Sequence, residues 1–435
     1  MYKYFIAVIL CCSVFTTLCR GALLTPESAV QLALKNNYDI TVAYTNAQTA
    51  RIQNAPGNAG MLPSVSMTGS DLFEPANGSK QLLAGGSTSR ASNAHYNTVS
   101  AGLALDWTLF DGGRMFLTKQ KLTMLESLGA IQFKNSVQQT VYDVITAYYS
   151  IVQQKQMLAS INEVIAYNNE RVLILQTSFN AGLVPKTALL QAQIDLNVYR
   201  ENALVQSTVI STAKRTLLQL LGGNTDTAFD IIDSIPFEYA PDKTQLIKSV
   251  YAHNTMLQAA QKQLDISGLS LRDAQSRRLP NVTLSGGYFF NQTNNEVSTT
   301  RMNRSWGPQI GGAITIPLYQ AGSVSRQIAV AQLQVQSDSV AVENVKRTLT
   351  LDMDNALMSF ENQQALFDIE QKNELLAKEN LDIELQRLRL GQSTSLDMHQ
   401  AEESYAASQT RLITIRYNRK VAETKLRQLL AELEQ

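Results

Sequence analysis

The side chains best suited to chemistry are sparse and badly spaced for it. The three histidines, His95, His253 and His399, are scattered along the chain, and no two stand three or four residues apart, the spacing that presents two ligands to one zinc ion from a helix. Acidic pairs occur at Glu402-Glu403 and at Asp352 with Asp354. Both lie in stretches of helical periodicity, where they read as solvated charge rather than as a general acid and its base. Gly286-Gly287 falls inside a strand-like stretch and no Walker pattern is present, so nothing cradles a phosphate. The only cysteines, Cys11, Cys12 and Cys19, lie near the N-terminus. The chain reads as no enzyme, with no catalytic residue, cofactor or metal site.

Composition narrows the partners. Lys plus Arg and Asp plus Glu are both 37, which gives no support to nucleic-acid binding, since that needs a clustered basic face. Lys3 precedes an apolar run from Tyr4 to Val14, and Cys19-Arg20-Gly21 offers small residues for a cut before Ala22. Residues 1–21 therefore read as a secretory signal peptide. A retained anchor is disfavoured because the run is shorter than the ~20 apolar residues of a spanning helix. A lipoprotein cut before Cys19 is disfavoured because Thr16-Thr17-Leu18 lacks the small residue such a site needs. No later stretch is apolar for long enough to span a bilayer as a helix, which leaves a soluble, peripheral or β-barrel protein.

The elements that must position any functional residue come in two copies. Phe110-Asp111-Gly112-Gly113 returns as Tyr319-Gln320-Ala321-Gly322, Gly182 returns as Gly391, and Gln191-Ala192-Gln193 returns as Gln400-Ala401-Glu402, all at a constant offset of 209. Upstream, Pro63 matches Pro280 at an offset of 217, so one eight-residue insertion separates the copies. A long repeat with two copies points to one pseudo-symmetric unit rather than a solenoid.

Within copy one, Val137, Val144, Ile151, Leu158, Ile165, Val172 and Phe179 keep a spacing of seven, the seam of a long packed helix. A second row, Leu189, Leu196, Ala203, Ile210 and Leu217, follows Gly182. Each copy thus predicts a long helix, a tip at Gly182 or Gly391, and a returning helix. A shorter helical stretch, about 25 to 61 and 243 to 278, comes first, with Thr25 as cap and Pro26 at the first helical position.

Between the short and long helices the period falls to two. Val99, Ala101, Leu103, Leu105, Trp107 and Leu109 alternate with Ser100, Gly102, Ala104, Asp106 and Thr108. Strands are predicted at about 64–73, 98–109, 281–290 and 306–317, each close to the length a tilted strand needs to cross a membrane. The joining segments, about 74 to 97 and 291 to 305, are rich in Asn, Ser, Thr and Gly and read as solvated loops. Residues 222–242 read as a linker, a candidate equatorial segment between a first repeat at 22–221 and a second at 243–435.

Four such strands cannot close alone, because an open sheet edge in lipid leaves backbone groups unpaired at several kcal/mol each. Two chains would give eight strands and a filled interior; three would give twelve and a lumen. The fold class is therefore mainly α with a small β part: duplicated coiled-coil hairpins plus four transmembrane strands, shared as a 12-stranded barrel over a trimeric α-barrel. The competing readings are a periplasmic coiled-coil adaptor and a structural stalk protein. An adaptor, however, carries one hairpin flanked by β-rich domains.

The signal peptide, the duplicated plan, the Leu-Phe-Asp-Gly-Gly and Pro-Leu-Tyr-Gln-Ala-Gly turns and the tip glycines together resemble TolC-type outer-membrane efflux proteins. The resemblance covers the whole chain after residue 21. It implies a homotrimeric channel in the bacterial outer membrane with a large periplasmic part. Such a channel is a passive exit for small molecules or polypeptides, docking on a periplasmic adaptor (membrane fusion) protein and an inner-membrane pump of the RND or ABC type. It further implies a periplasmic gate near Asp397 and Gln400. Beside that resemblance, Lys186 and Arg389 near the tips are candidate partners for Asp397 that would bias closure. Adaptor-docking tips would lie at Gly182, Leu183, Gly391 and Gln392, and strand-to-helix turns at Gly112, Gly113 and Gly322. Gln400, Ala188 and Ser393 depart from the charged residues that such a gate carries elsewhere.

Overall fold

The computed structural model describes residues 22–80, 89–223, 229–237, 239, 246–296 and 300–433. The signal-peptide reading of residues 1–21 lies outside them. The order is β1 (Ala22–Leu24), α1 (Pro26–Asn36), α2 (Tyr38–Gln53), β2 (Ser64–Lys80), β3 (Ser89–Phe110), α3 (Arg114–Asn180), α4 (Lys186–Leu220) and β4 (Phe229–Ile231). The second half runs α5 (Leu246–His253), α6 (Thr255–Ser276), β5 (Asn281–Asn295), β6 (Met302–Thr315), α7 (Ser323–Arg389) and α8 (Ser395–Leu429). The long helices α3 and α7 are both 67 residues, roughly 100 Å of helix at 1.5 Å per residue. Their returning partners α4 and α8 are both 35. No described helix is long and apolar enough to cross a membrane.

The short helical stretches differ from expectation: each is broken in two, at Asn37 and at Asn254. The buried Asn37 side chain accepts from the backbone N–H groups of Asp39 and Ile40 and donates to the Leu220 carbonyl at 2.7 Å. Asn254 repeats this, accepting from Met256 and Leu257 and donating to the Leu429 carbonyl. Capping a new helix and tying down the end of a returning one is worth more locally than continuing the first helix.

The chain forms two compact units. One comprises residues 46–131 and 258–344 and holds a single four-stranded antiparallel sheet in the order β2-β3-β5-β6. β2, β3 and β5 run beyond their predicted bounds, β6 starts earlier and ends two residues sooner than predicted, and the segments read as loops belong largely to these strands. Ser, Asn and Gly there looked like loop composition, yet a neighbouring strand supplies ladder bonds whatever the side chain. Of the predicted loops, residues 81–88 and 297–299 lie outside the described residues.

The other unit comprises residues up to 45, 132–257 and 345–435. Here β1 pairs in parallel with β4, and the Tyr148 hydroxyl joins the two, donating to the Leu24 carbonyl at 2.8 Å and accepting from the Ile232 N–H. Ala29, Ala33, Val144, Tyr148, Ile151, Leu217 and Ile231 make the core around them. The described part of the 222–242 segment therefore packs on the helices, with Phe237 under the Arg419 guanidinium at 4.3 Å.

Lower on α3 the inner row changes register. Val144 and Ile151 are fully buried as predicted, but further along Val164, Asn168, Arg171 and Leu175 are buried while Ile165, Val172 and Phe179 are half-buried. The neighbours change there: Val164 packs with Leu381 and Leu385 of α7 and with Met398, Ala401 and Tyr405 of α8.

Candidate functional site

Two regions carry functional geometry, the sheet in one unit and the hairpin tips in the other. In the sheet, pairing register puts the predicted apolar positions on one face, except Leu109, which falls in a bulge so that Phe110 opposes Val282, and Ile316, which lies beyond the end of β6. Val65 opposes Leu105, which opposes Gly286, which opposes Ile310; in the next row stand Met67, Leu103, Tyr288 and Pro308, then Gly69, Ala101, Phe290 and Trp306. Most of these side chains are exposed, Met67 at 80% and Ile310 at 84%, while Ala101, Leu105 and Phe290 are half-buried.

The opposite face carries Ser66, Ala104, Gly287 and Gln309 in one row and Ser70, Ser100, Asn291 and Ser305 in another. Its hydroxyls meet across strands, as in the 2.7 Å contact of Ser70 with Ser100. A sheet apolar on one face and polar on the other, with β2 and β6 as edges, leaves two rows of backbone donors and acceptors unpaired within the chain.

Glycines turn strand into helix. Gly112, Gly113 and Gly322 have φ of 76°, 84° and 72°, the left-handed region that Gly enters without cost. Ala321, the counterpart of Gly112, takes φ 49° as well. Trp107 does not stand free at the strand end, since its indole N–H donates to the Met61 carbonyl at 3.0 Å. Tyr319 is exposed.

At the tips both long helices end in the same way. Gly182 (φ 72°) and Gly391 (φ 71°) take left-handed backbone. The N–H of Leu183 returns to the Ser178 carbonyl at 2.9 Å and that of Gln392 to the Arg387 carbonyl at 2.8 Å, closing a Schellman turn in each copy. Leu183, Leu390 and Leu396 are exposed there.

The returning helices start differently. Lys186 opens α4, exposed, after an N-cap Pro185 whose side chain makes no cap bond. In α8 Thr394 and Asp397 form a capping box, with the Thr394 hydroxyl donating to the Asp397 carboxylate at 2.8 Å and the Thr394 N–H at 3.1 Å. Those bonds hold the exposed Asp397 carboxyl below its usual range.

The partners proposed for Asp397 from sequence are not the ones observed. Arg389 pairs with Glu170 of α3 instead, and Asp397 closes its own helix start. Gln400 is exposed on α8, and Ser393 donates to Glu384 at 2.6 Å, beside Arg387 on the same carboxylate.

Sequence reasoning missed an ionic cluster just inside the tips. Arg171 is fully buried and pairs with both Asp195 of α4 and Glu402 of α8, the latter at 2.6 Å. His399 stands 3.5 Å from Asp195 and 3.4 Å from Glu403. Glu402, which its sequence context reads as solvated charge, is fully buried. Burial pushes its carboxyl up to about 7 against the pull of Arg171. The signal lay in the row of Val164, Asn168, Arg171 and Leu175, one position off the uniformly apolar seam. The cluster is not duplicated, for the counterpart of Arg171 at the 209 offset is Asn380.

Known proteins share this plan. The family described as "Outer membrane efflux protein" matches residues 29–223 and 246–432. The outer membrane efflux protein BepC of Brucella suis biovar 1 is 23% identical over 75% of this chain and 70% of its own length. The outer membrane protein TolC of Escherichia coli K12 is 21% identical over 79% and 71%. The crystal structure of the outer membrane protein VceC from Vibrio cholerae superposes with a TM-score of 0.76 at 17% identity, covering 93% of this chain and 96% of that one.

Proposed function

The chain belongs to the outer membrane efflux protein family, and on that premise we propose that three copies form a passive exit duct through the bacterial outer membrane. The observation that carries this reading is the four-stranded sheet with one apolar face, one polar face and two unpaired edges. In lipid the apolar face turns outward, and each edge must find a neighbour or leave its backbone groups unpaired. Edge β2 of one copy meeting edge β6 of the next closes twelve strands around a polar lumen.

The long hairpins make up the large periplasmic part. Their exposed tips, at Gly182-Leu183 and Gly391-Gln392, present Leu183, Leu390 and Leu396 to a coiled-coil adaptor, which couples the duct to an inner-membrane pump. Three Asp397 carboxylates, repeated by symmetry near the tips, form a ring that repels like charge and draws cations. Energy comes from the pump, so the chain needs no catalytic group. An adaptor would not need a long sheet with a bare apolar face.

The test is the assembly itself. Detergent-extracted protein should have the mass of three chains and conduct ions in planar bilayers. A water-soluble single chain without conductance would end the proposal.

A further inference from the structure

Over the stretch whose reverse side is apolar, the polar face of the sheet carries one aromatic side chain, Phe289. It opposes Gly102 on β3 and Gly307 on β6. Its ring lies across bare backbone: a Cβ on Gly102 would come within 2.4 Å of the ring, and one on Gly287 within 2.6 Å. Around it stand Thr68, Ser100, Asn291 and Gln309, and the one ionisable group on this stretch of the face is Asp106. The wall is thus rich in hydroxyls and amides, nearly without charge, and broken by one flat apolar ring at a fixed height.

The half-buried Phe289 ring leaves part of its apolar area hydrated, and a flat apolar solute lying on it removes that area from water. The nearly uncharged wall neither steers nor repels such a solute. Two glycines keep the ring down on the sheet, so it offers a surface without filling the passage. Resting on the barrel reading above, we propose that Phe289 is a solute-contacting residue of the duct. Three such rings, one from each copy, form an apolar step that neutral aromatic molecules occupy in transit.

The test uses the full chain, purified in detergent and placed in planar bilayers, with 1-naphthol as the probe. The wild type should conduct and show brief blockades by the probe. Phe289→Leu keeps the bulk and removes the ring, and blockade dwell times should shorten about fivefold, the scale of one aromatic contact. Phe289→Cys should lose conductance on exposure to a charged, water-soluble thiol reagent, whereas Tyr288→Cys, on the apolar face, should not. Gly102→Ala should lift the ring and lower conductance, and the added Phe289→Ala should restore it.

Unchanged dwell times in a conducting Phe289→Leu channel would overturn the proposal and leave the barrel standing. So would reaction of the Tyr288→Cys variant in place of the Phe289→Cys one. A wild type that is not trimeric, or does not conduct, would instead sink the barrel reading and this inference with it.

Discussion

Arg171 of α3 and Glu402 of α8 meet at 2.6 Å with neither side chain exposed, and Asp195 of α4 takes the other arm of the same guanidinium. One cation therefore ties three helices together inside the hairpin region. Removing it strands two carboxylates in a dry site, a cost of about 3–5 kcal/mol. Arg171→Ala should lower the melting temperature by several degrees or prevent folding. Arg171→Met with Asp195→Leu and Glu402→Leu, which removes all three charges, should recover much of that loss. Thermal melts of the variants in detergent check this, and equal losses in both would show that charge burial is not the cause.

Protonation acts on the same cluster. The folded Glu402 carboxyl titrates at about 7 against 4.5 for a solvated one, so the folded state holds a proton that the unfolded state has released. The contribution to stability is full below about 4.5 and is lost as pH rises through 7. Arg171, Asp195 and Asn168 act on the same carboxyl, and His399, which also contacts Asp195 and Glu403, lies 4.0 Å from it. Glu402→Gln fixes the neutral form, so its melting temperature should stay flatter between pH 5 and 8 than that of the wild type, by about 2–4 °C. Parallel curves for the two proteins would rule out Glu402 as the titrating group.

The two strand-to-helix turns make a matched pair of substitutions. A Cβ on Gly112 would lie 2.6 Å from the Ser276 carbonyl oxygen and 2.7 Å from Leu279 Cβ, at φ 76°. Gly112→Ala should therefore cost about 2 kcal/mol or more. At the equivalent Ala321, φ 49°, Gly removes a left-handed cost of ~1 kcal/mol but adds ~1 kcal/mol of unfolded-chain entropy. Ala321→Gly should be neutral within about 0.5 kcal/mol, again read from melts.

Much of this architecture is legible in sequence because repetition makes weak signals add. Gly182 and Gly391 mark turns, at one offset, that close through the same Schellman bonds. The apolar positions of the four strands share a face because alternation has one period and the register obeys it. The strands' far ends escaped, since Asn, Ser and Gly there carry no alternation that a single strand reveals. Arg171 and Glu402 escaped for a different reason: a heptad scan scores charge as solvent, and only the partner across the bundle shows it to be core. The pairing of Arg389 with Glu170 rather than Asp397 depends on which helix lies alongside, which spacing within one helix does not encode.

Asn37 and Asn254 extend that lesson into a prediction. They stand 217 residues apart, the offset of the Pro63 and Pro280 pair. Each caps a helix and holds a carbonyl at the end of a returning one, at 2.7 Å and 3.2 Å. Losing a cap and a buried bond together should cost about 2 kcal/mol, so Asn37→Ala and Asn254→Ala should be alike in melts. Asp substitution keeps the capping acceptor but not the donor and should recover about half. A harmless substitution at either site would show that helix continuation, not capping, governs that junction.

Asp397 has two roles that one substitution separates. Both bonds from Thr394 go to the same carboxylate oxygen, Oδ2, so the residue can close its helix start and still carry the charge that the proposed ring requires. Asp397→Asn keeps an oxygen acceptor for the cap and removes the charge, while Asp397→Ala removes both. If the ring of three carboxylates acts on passing ions, Asp397→Asn should lower cation preference in planar bilayers with little change in melting temperature. Asp397→Ala should show the same loss of preference together with a lower melting temperature from the lost cap bonds. Unchanged preference and conductance in both variants would reduce Asp397 to a helix cap.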